Sequence, residues 1–253
     1  MDTSILLNIA IFVVVGFIAQ MIDGALGMAY GVSSTTFLLS LGVPPAVASA
    51  SVHTAEVFTT GVSGFSHFRL GNIDGTVWKK LVIPGVIGGI VGAYVLSSVP
   101  GDVIKPFVSI YLLIMGIVIL VKAFWKMKGF NVRAGLIPLA LVGGLLDALG
   151  GGGWGPVVTT TLVAGGEDPR FSIGSVNASE FFVTVAESVT FVLTIPALIG
   201  ENWQSIVGLL VGGVIAAPLA AVVCKKLPTR VLMILVGILI IVLSIRTIFL
   251  AFA

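Results

Sequence analysis

Charge is scarce in this 253-residue chain. Asp, Glu, Lys and Arg make up 9% of it, against roughly 25% in a soluble domain, and the mean hydropathy is +1.18. That balance excludes an ordinary water-soluble fold. Cysteine occurs once, as Cys224. This excludes an intrachain disulfide and a cysteine-bound metal cluster, and leaves a small packing residue. No nucleic-acid-binding motif is present, so no nucleic-acid partner is expected. The opening residues Met1, Asp2, Thr3 and Ser4 lack a basic stretch, and no A-x-A site follows. The first segment is therefore not read as a cleaved signal peptide. No residue pattern calls for a cofactor.

What is abundant is apolar sequence, at 57% of residues. Apolar runs recur at 5–22, 81–99, 103–121, 206–223 and 231–245. Each is about the length needed to cross a hydrocarbon core of ~30 Å. The expected fold is all-α: a polytopic, multi-pass membrane protein whose first partner is the lipid bilayer.

The chain is written twice. Shifted by 124 residues, Asp23 falls on Asp147, Gly27 on Gly151, Gly31 on Gly155 and Thr35 on Thr159. Pro45 falls on Pro169, Glu56 on Glu180 and Thr60 on Thr184. Leu and Val dominate chance matches in membrane chains, yet these pairs are polar, Gly or Pro, which marks an internal duplication. The expected organisation is a transmembrane repeat over 1–124, a basic cytoplasmic linker over 125–133 and a second repeat over 134–253. Five segments fall in each half: 4–22, 24–41, 46–68, 79–98 and 103–124, then 134–149, 153–165, 170–198, 204–224 and 229–250. The second of each set is short and glycine-rich; it either crosses or forms a hairpin with its predecessor.

Basic residues orient the segments. With the N-terminus outside and ten crossings, Arg69, Lys79, Lys80, Lys122, Lys126, Lys128, Arg133, Arg170, Lys225, Lys226 and Arg230 fall inside. Only Lys105 and Arg246 fall outside. Equivalent loops of the two halves then face opposite sides, so the repeats are expected to be inverted, with both termini outside. Parity is kept if the first two segments of each half are re-entrant. A bacterial inner membrane is the expected location.

Inverted repeats with Gly/Pro-interrupted segments in matching positions point to a transport site near the bilayer midplane. The breaks are DGALGMAYG (23–31) and DALGGGGWGP (147–156). A broken helix offers N–H groups and partial positive charge at a helix start, which suit an anion. Candidate substrate contacts are Gly27, Gly31, Gly151, Gly152, Gly153 and Trp154 in the breaks. The hydroxyls that follow, Ser33, Ser34, Thr35, Thr159 and Thr160, join them. Ser and Thr also serve simply to satisfy carbonyls and let helices pack. No G-K-[ST] follows, so a P-loop is not expected. Asp23 and Asp147, just before the short helices, suit N-capping.

His53, Glu56, Thr60, Ser63 and His67 share one helix face by their 3, 4, 3, 4 spacing. Asn177, Glu180, Thr184 and Glu187 are among their copies. His53 and Asn177 are candidate substrate contacts. Glu56, Glu180 and Glu187, with the two aspartates, are candidates for proton coupling or for structural pairing. Metal binding by His53 and Glu56 lacks an evident third ligand. Overlapping G-x-x-x-G spacing in 85–92 predicts close helix packing within or between subunits, so a homodimer is one expectation.

The duplicated breaks, followed by PPAVASASVHTAE and PRFSIGSVNASEF, resemble the TauE/SafE sulfite exporter family over nearly the whole chain. ALGGGGWGP is the most specific part of the likeness; the first copy, GALGMAYG, lacks its glycine run. The resemblance implies transport of small sulfur-containing anions such as sulfite, sulfoacetate and other organosulfonates, and not an enzyme. Export from a cell negative inside runs with the potential, at ~2.3 kcal/mol per charge per 100 mV. Uptake requires coupling. A cation or metal transporter using Glu56, His53 and Glu180 is the alternative. An intramembrane lipid-phosphate hydrolase is disfavoured, because no Lys or Arg lies in the breaks or the polar stripe to stabilise developing charge.

Overall fold

A computed structural model describes residues 3–26, 28–124, 132–195, 198–224 and 229–252. Among these residues every regular element is helical. Gly27 and most of the 125–133 linker lie outside them.

The first half holds α1 (Thr3–Leu26), α2 (Tyr30–Ser40), α3 (Pro45–Arg69), α4 (Gly75–Ser98) and α5 (Gly101–Lys122). The second holds α6 (Leu136–Gly150), α7 (Thr160–Ala164), α8 (Pro169–Thr194), α9 (Leu198–Cys224) and α10 (Thr229–Phe252). A 3₁₀ turn, Arg133–Gly135, leads into α6, and a π-helical turn, Gly155–Thr159, leads into α7. The helix starts are sequence-encoded. Pro45 and Pro169 sit at the first helical turn, where the missing N–H costs nothing. Asp74 caps α4 by accepting from the Thr76 and Val77 amides at 2.8 and 3.2 Å, and Asp168 caps α8 through the Arg170 amide. Among the described residues, six helical stretches are long and apolar enough by length and composition to cross a bilayer, that of α6 with its 3₁₀ lead-in among them, and large exposed apolar side chains such as Ile83, Leu193 and Phe249 clothe their outer surface.

The principal pairings are α1 with α9, α4 with α6, α3 with α8 and α5 with α10. Each joins one half to the other. Under the 124-residue shift the first two exchange places and the last two map onto themselves. Glycine makes these contacts close. Gly88 and Gly92 of α4 lie against the backbone of Leu141 and Leu145, Gly85 against the Trp154 ring, and Gly89 against Glu187. The G-x-x-x-G face is thus consumed inside the chain, and a subunit contact would need another surface.

In the second half the short segment turns back on its predecessor. Arg133, entering α6, bonds Glu167, just past α7, at 2.6 Å, and also Asp74 at 3.1 Å. The stretch from Arg133 to Glu167 therefore enters and returns at one face. Its arms of 15 and 10 residues reach only about 22 and 15 Å at ~1.5 Å per residue. Of the two possibilities left by the sequence, the hairpin is the one formed here. The Arg133 hydrogen bond holds the Glu167 carboxyl below its ordinary range. Arg170 bonds Asn72 and the Leu70 carbonyl on the same face, and Arg230 lies over the Phe124 ring. On the opposite face Arg246 bonds the Ser40 carbonyl at the end of α2.

Candidate functional site

The two breaks meet. Helix α6 ends because Gly151 adopts φ +64° and Gly152 follows at φ +144°, backbone that side chains rarely adopt. A Cβ on Gly31 would come within 2.5 Å of the Gly152 Cα, and one on Gly152 would strike the Val32 amide. The Thr35 hydroxyl donates to the Gly151 carbonyl at 2.6 Å, and the Thr160 hydroxyl reaches the Met28 sulfur at 3.7 Å. The first break has no glycine run; Ala29 takes the left-handed conformation instead, at φ +116°. That strain costs on the order of 1–3 kcal/mol and is a mark of functional backbone.

The aspartates reach across the breaks. The Gly153 and Trp154 amides both donate to Asp147 Oδ1, at 2.5 and 2.9 Å. The Tyr30 amide donates to Asp23 Oδ1 at 3.3 Å. The sequence leads one to expect unpaired N–H groups here, but these three are answered by carboxylates. Gly31, Val32 and Gly155, next along, line a cavity of about 560 Å³.

The cavity lies between the breaks, α3 and α8. Asp23, Asp147, Gly152 and Gly153 line it from the breaks, and Glu56, Thr60, Ser63, Asn177 and Glu180 from α3 and α8. It extends to His67, Pro169 and Ile173, at the end of α3 and the start of α8, and so toward the face of Arg133 and Arg170. Among the described residues, no lysine or arginine lines it. The Ser63 hydroxyl donates to Asn177 Oδ1 at 3.1 Å, and Thr60 and Thr184 meet at 3.5 Å.

Several sequence candidates lie off the cavity. Trp154 is fully buried: its ring fills the space left by Gly85 and Gly143, and its Nε1–H donates to the Val176 carbonyl at 3.2 Å. It packs the break and neither lines nor plugs the cavity. Ser33, Ser34, Thr35, Thr159, Thr160 and Gly151 are also absent from the wall; Thr35 and Thr160 tie the breaks together. Gly27 lies outside the described residues.

Beyond the wall, toward the opposite face, His53 Nε2 stands 2.9 Å from Glu187 Oε2, 3.6 Å from Asp147 Oδ2 and 3.9 Å from Glu56 Oε2. The donor atoms of His53, Asp147 and Glu187 lie within 4.8 Å of one another. This convergence of α3, α6 and α8 was hidden in the sequence, where the three residues are far apart. The missed signal is that Glu187 falls where its shifted copy has Ser63, a charge added to an otherwise neutral pair.

The sequence model of one protein family, described as Sulfite exporter TauE/SafE, matches residues 12–247. A curated protein of Bacillus subtilis (strain 168), "Probable membrane transporter protein YtnM", is 43% identical over 248 residues, which cover 95% of this chain and 82% of that protein. No solved structure matches the chain.

Proposed function

Because the chain belongs to the TauE/SafE sulfite exporter family and is therefore a membrane transporter rather than an enzyme, we propose that it is a secondary transporter of small sulfur-containing anions. Sulfite, sulfoacetate and related organosulfonates are the substrate class. The protein works by alternating access, with two inverted repeats moving about a shared midplane site. The basic face is cytoplasmic, both termini are outside, and the membrane is a bacterial inner membrane.

The observation that carries this reading is the cavity between two touching helix breaks, with Gly31, Val32 and Gly155 presented at its wall. Helix starts favour negative charge. Pairings that an exchange of halves leaves unchanged support the inverted-repeat arrangement. The cavity reaches the basic face, while the way to the other face is filled by His53, Glu187 and Phe191, each with 0% exposure. This supports reading the protein as a carrier open toward its basic face.

The wall also holds Asp23, Glu56, Asp147 and Glu180, with no fixed cation among the described residues. An anion ~5 Å from one ionised carboxylate is repelled by about 3 kcal/mol at an effective dielectric of ~20. Anion binding therefore requires that these groups be neutralised, and we infer that the anion travels with protons. The same acidic wall favours a second reading, a carrier of cations.

Thermal stabilisation of purified protein by a panel of ions separates the two. The expected result is stabilisation by sulfite or sulfonates, stronger at acid pH than at alkaline pH. Stabilisation by metal cations with none by any sulfur anion would transfer the assignment to the second reading.

A further inference from the structure

His53 and Glu187 are fully buried and touch no part of the cavity, yet they are the closest pair of ionisable side chains beside it. The His53 ring is fixed by Nδ1, which lies 2.7 Å from the Ser49 carbonyl oxygen. A carbonyl only accepts, so Nδ1 carries a hydrogen. The Ser49 hydroxyl donates instead to the Ala148 carbonyl, at 2.6 Å. In a neutral imidazole Nε2 is then a bare lone pair, 2.9 Å from the Glu187 carboxylate. Two acceptors at that separation repel. A single proton on Nε2 turns the contact into an attractive buried ion pair.

The surroundings point the same way. Among the described residues, His53 Nε2, Glu56 Oε2, Asp147 Oδ2 and both Glu187 oxygens are buried without hydrogen-bond partners. The groups facing the pair are Glu56 from α3, Asp147 from α6 and the Glu187 carboxylate of α8. Tyr111 from α5 donates to the Gly152 carbonyl nearby, at 3.3 Å, and Phe191 covers the ring, with centroids 6.3 Å apart. Asp23 and Glu180 also line the cavity. The cluster is thus rich in negative charge and, among the described residues, holds no lysine or arginine.

We propose that the His53–Glu187 contact is a proton-binding site on the closed side of the cavity, exchanging its proton through Glu56 and Asp147. Those two carboxylates line the cavity and also approach Nε2, at 3.9 and 3.6 Å. In the exchange step the N–H bond of Nε2 breaks, its electron pair stays on the ring, and an O–H bond forms on a Glu56 or Asp147 oxygen. That oxygen passes the proton to cavity water. The site exists in one half only. Under the 124-residue shift its counterpart is Asn177, Ser63 and Asp23, where a neutral hydroxyl–amide bond stands in place of the ion pair. The use of this proton in coupling rests on the transporter reading; its presence rests on the geometry alone.

The chain has 2 histidines, so ¹⁵N-histidine labelling of the full chain in lipid nanodiscs isolates His53 once His67→Gln assigns the second signal. Near neutral pH the expected spectrum has both His53 ring nitrogens protonated. Glu187→Gln should lose the Nε2-bound proton, because the amide N–H can donate to a bare Nε2. A wild-type spectrum with bare Nε2, one whose Nε2 signal moves on adding Zn²⁺, or one unchanged in Glu187→Gln would each overturn the assignment. The measurement needs no substrate. Absence of flux for every sulfur anion with this proton in place would remove the transport reading and leave the proton site standing.

Discussion

Gly152→Ala should abolish transport and destabilise the fold, while Gly42→Ala should do neither to a comparable degree. Both glycines have positive φ, +144° and +89°, so both substitutions strain the backbone. They differ in what the new methyl meets. At Gly42 it meets nothing within 4 Å, and the cost is about 1–2 kcal/mol. At Gly152 it drives into the Gly31 Cα and the Val32 amide, where only backbone could give way. Overpacking and strain together then cost on the order of 2–6 kcal/mol. Relief requires the breaks to separate, which dismantles the wall that holds Gly31, Val32 and Gly155. Thermal unfolding and flux measured side by side check this. Equal stability and equal flux for the two variants would show that contact between the breaks is not needed.

Neutralising the mid-helix pair with Glu56→Gln and Glu180→Gln should tighten anion binding at alkaline pH by tenfold or more. Each ionised carboxylate near the site repels an anion by about 3 kcal/mol, and a tenfold change needs only ~1.4 kcal/mol. The sign follows from charge alone. In the native protein, negative charge at Glu56 and Glu180 weakens anion binding as the pH rises; in the double variant those two positions stay neutral, so the decline with pH is shallower. Proton-driven accumulation should fall in parallel, since the variant carries fewer titrating groups through the cycle. Binding isotherms for sulfite or a sulfonate across the pH range provide the test. Superimposable pH profiles for native and variant protein would mean that the anion does not sit among these carboxylates.

Much of the architecture was legible because its signals are local. Apolar length placed the long helices, Pro45 and Pro169 marked the starts of α3 and α8, and the glycine run located the α6 break. The 3, 4, 3, 4 spacing on α3 brought Glu56, Thr60, Ser63 and His67 to one wall. What escaped depends on contacts between distant segments. Nothing near Trp154 says that glycines at 85 and 143 leave a slot for its ring, so its place within the break suggested a substrate contact. Asp147 reads locally as a cap and does accept from two amides; its second oxygen turns to His53 only because α3 and α6 converge there. The hairpin path of the Arg133 to Glu167 stretch became visible when the pairing of those two residues fixed both ends at one face.

The central claim is that a sulfur anion passes through the hollow between the two breaks, and substrate protection of Ser63→Cys tests it most directly. Ser63 lines the cavity, and replacing Cys224 by Ala leaves the new thiol as the single target. A membrane-impermeant thiol reagent applied from the basic face should label it, sulfite or a sulfonate should slow that labelling, and labelled protein should lose flux. Labelling at the same rate with and without substrate, and flux that survives it, would place the anion's path elsewhere.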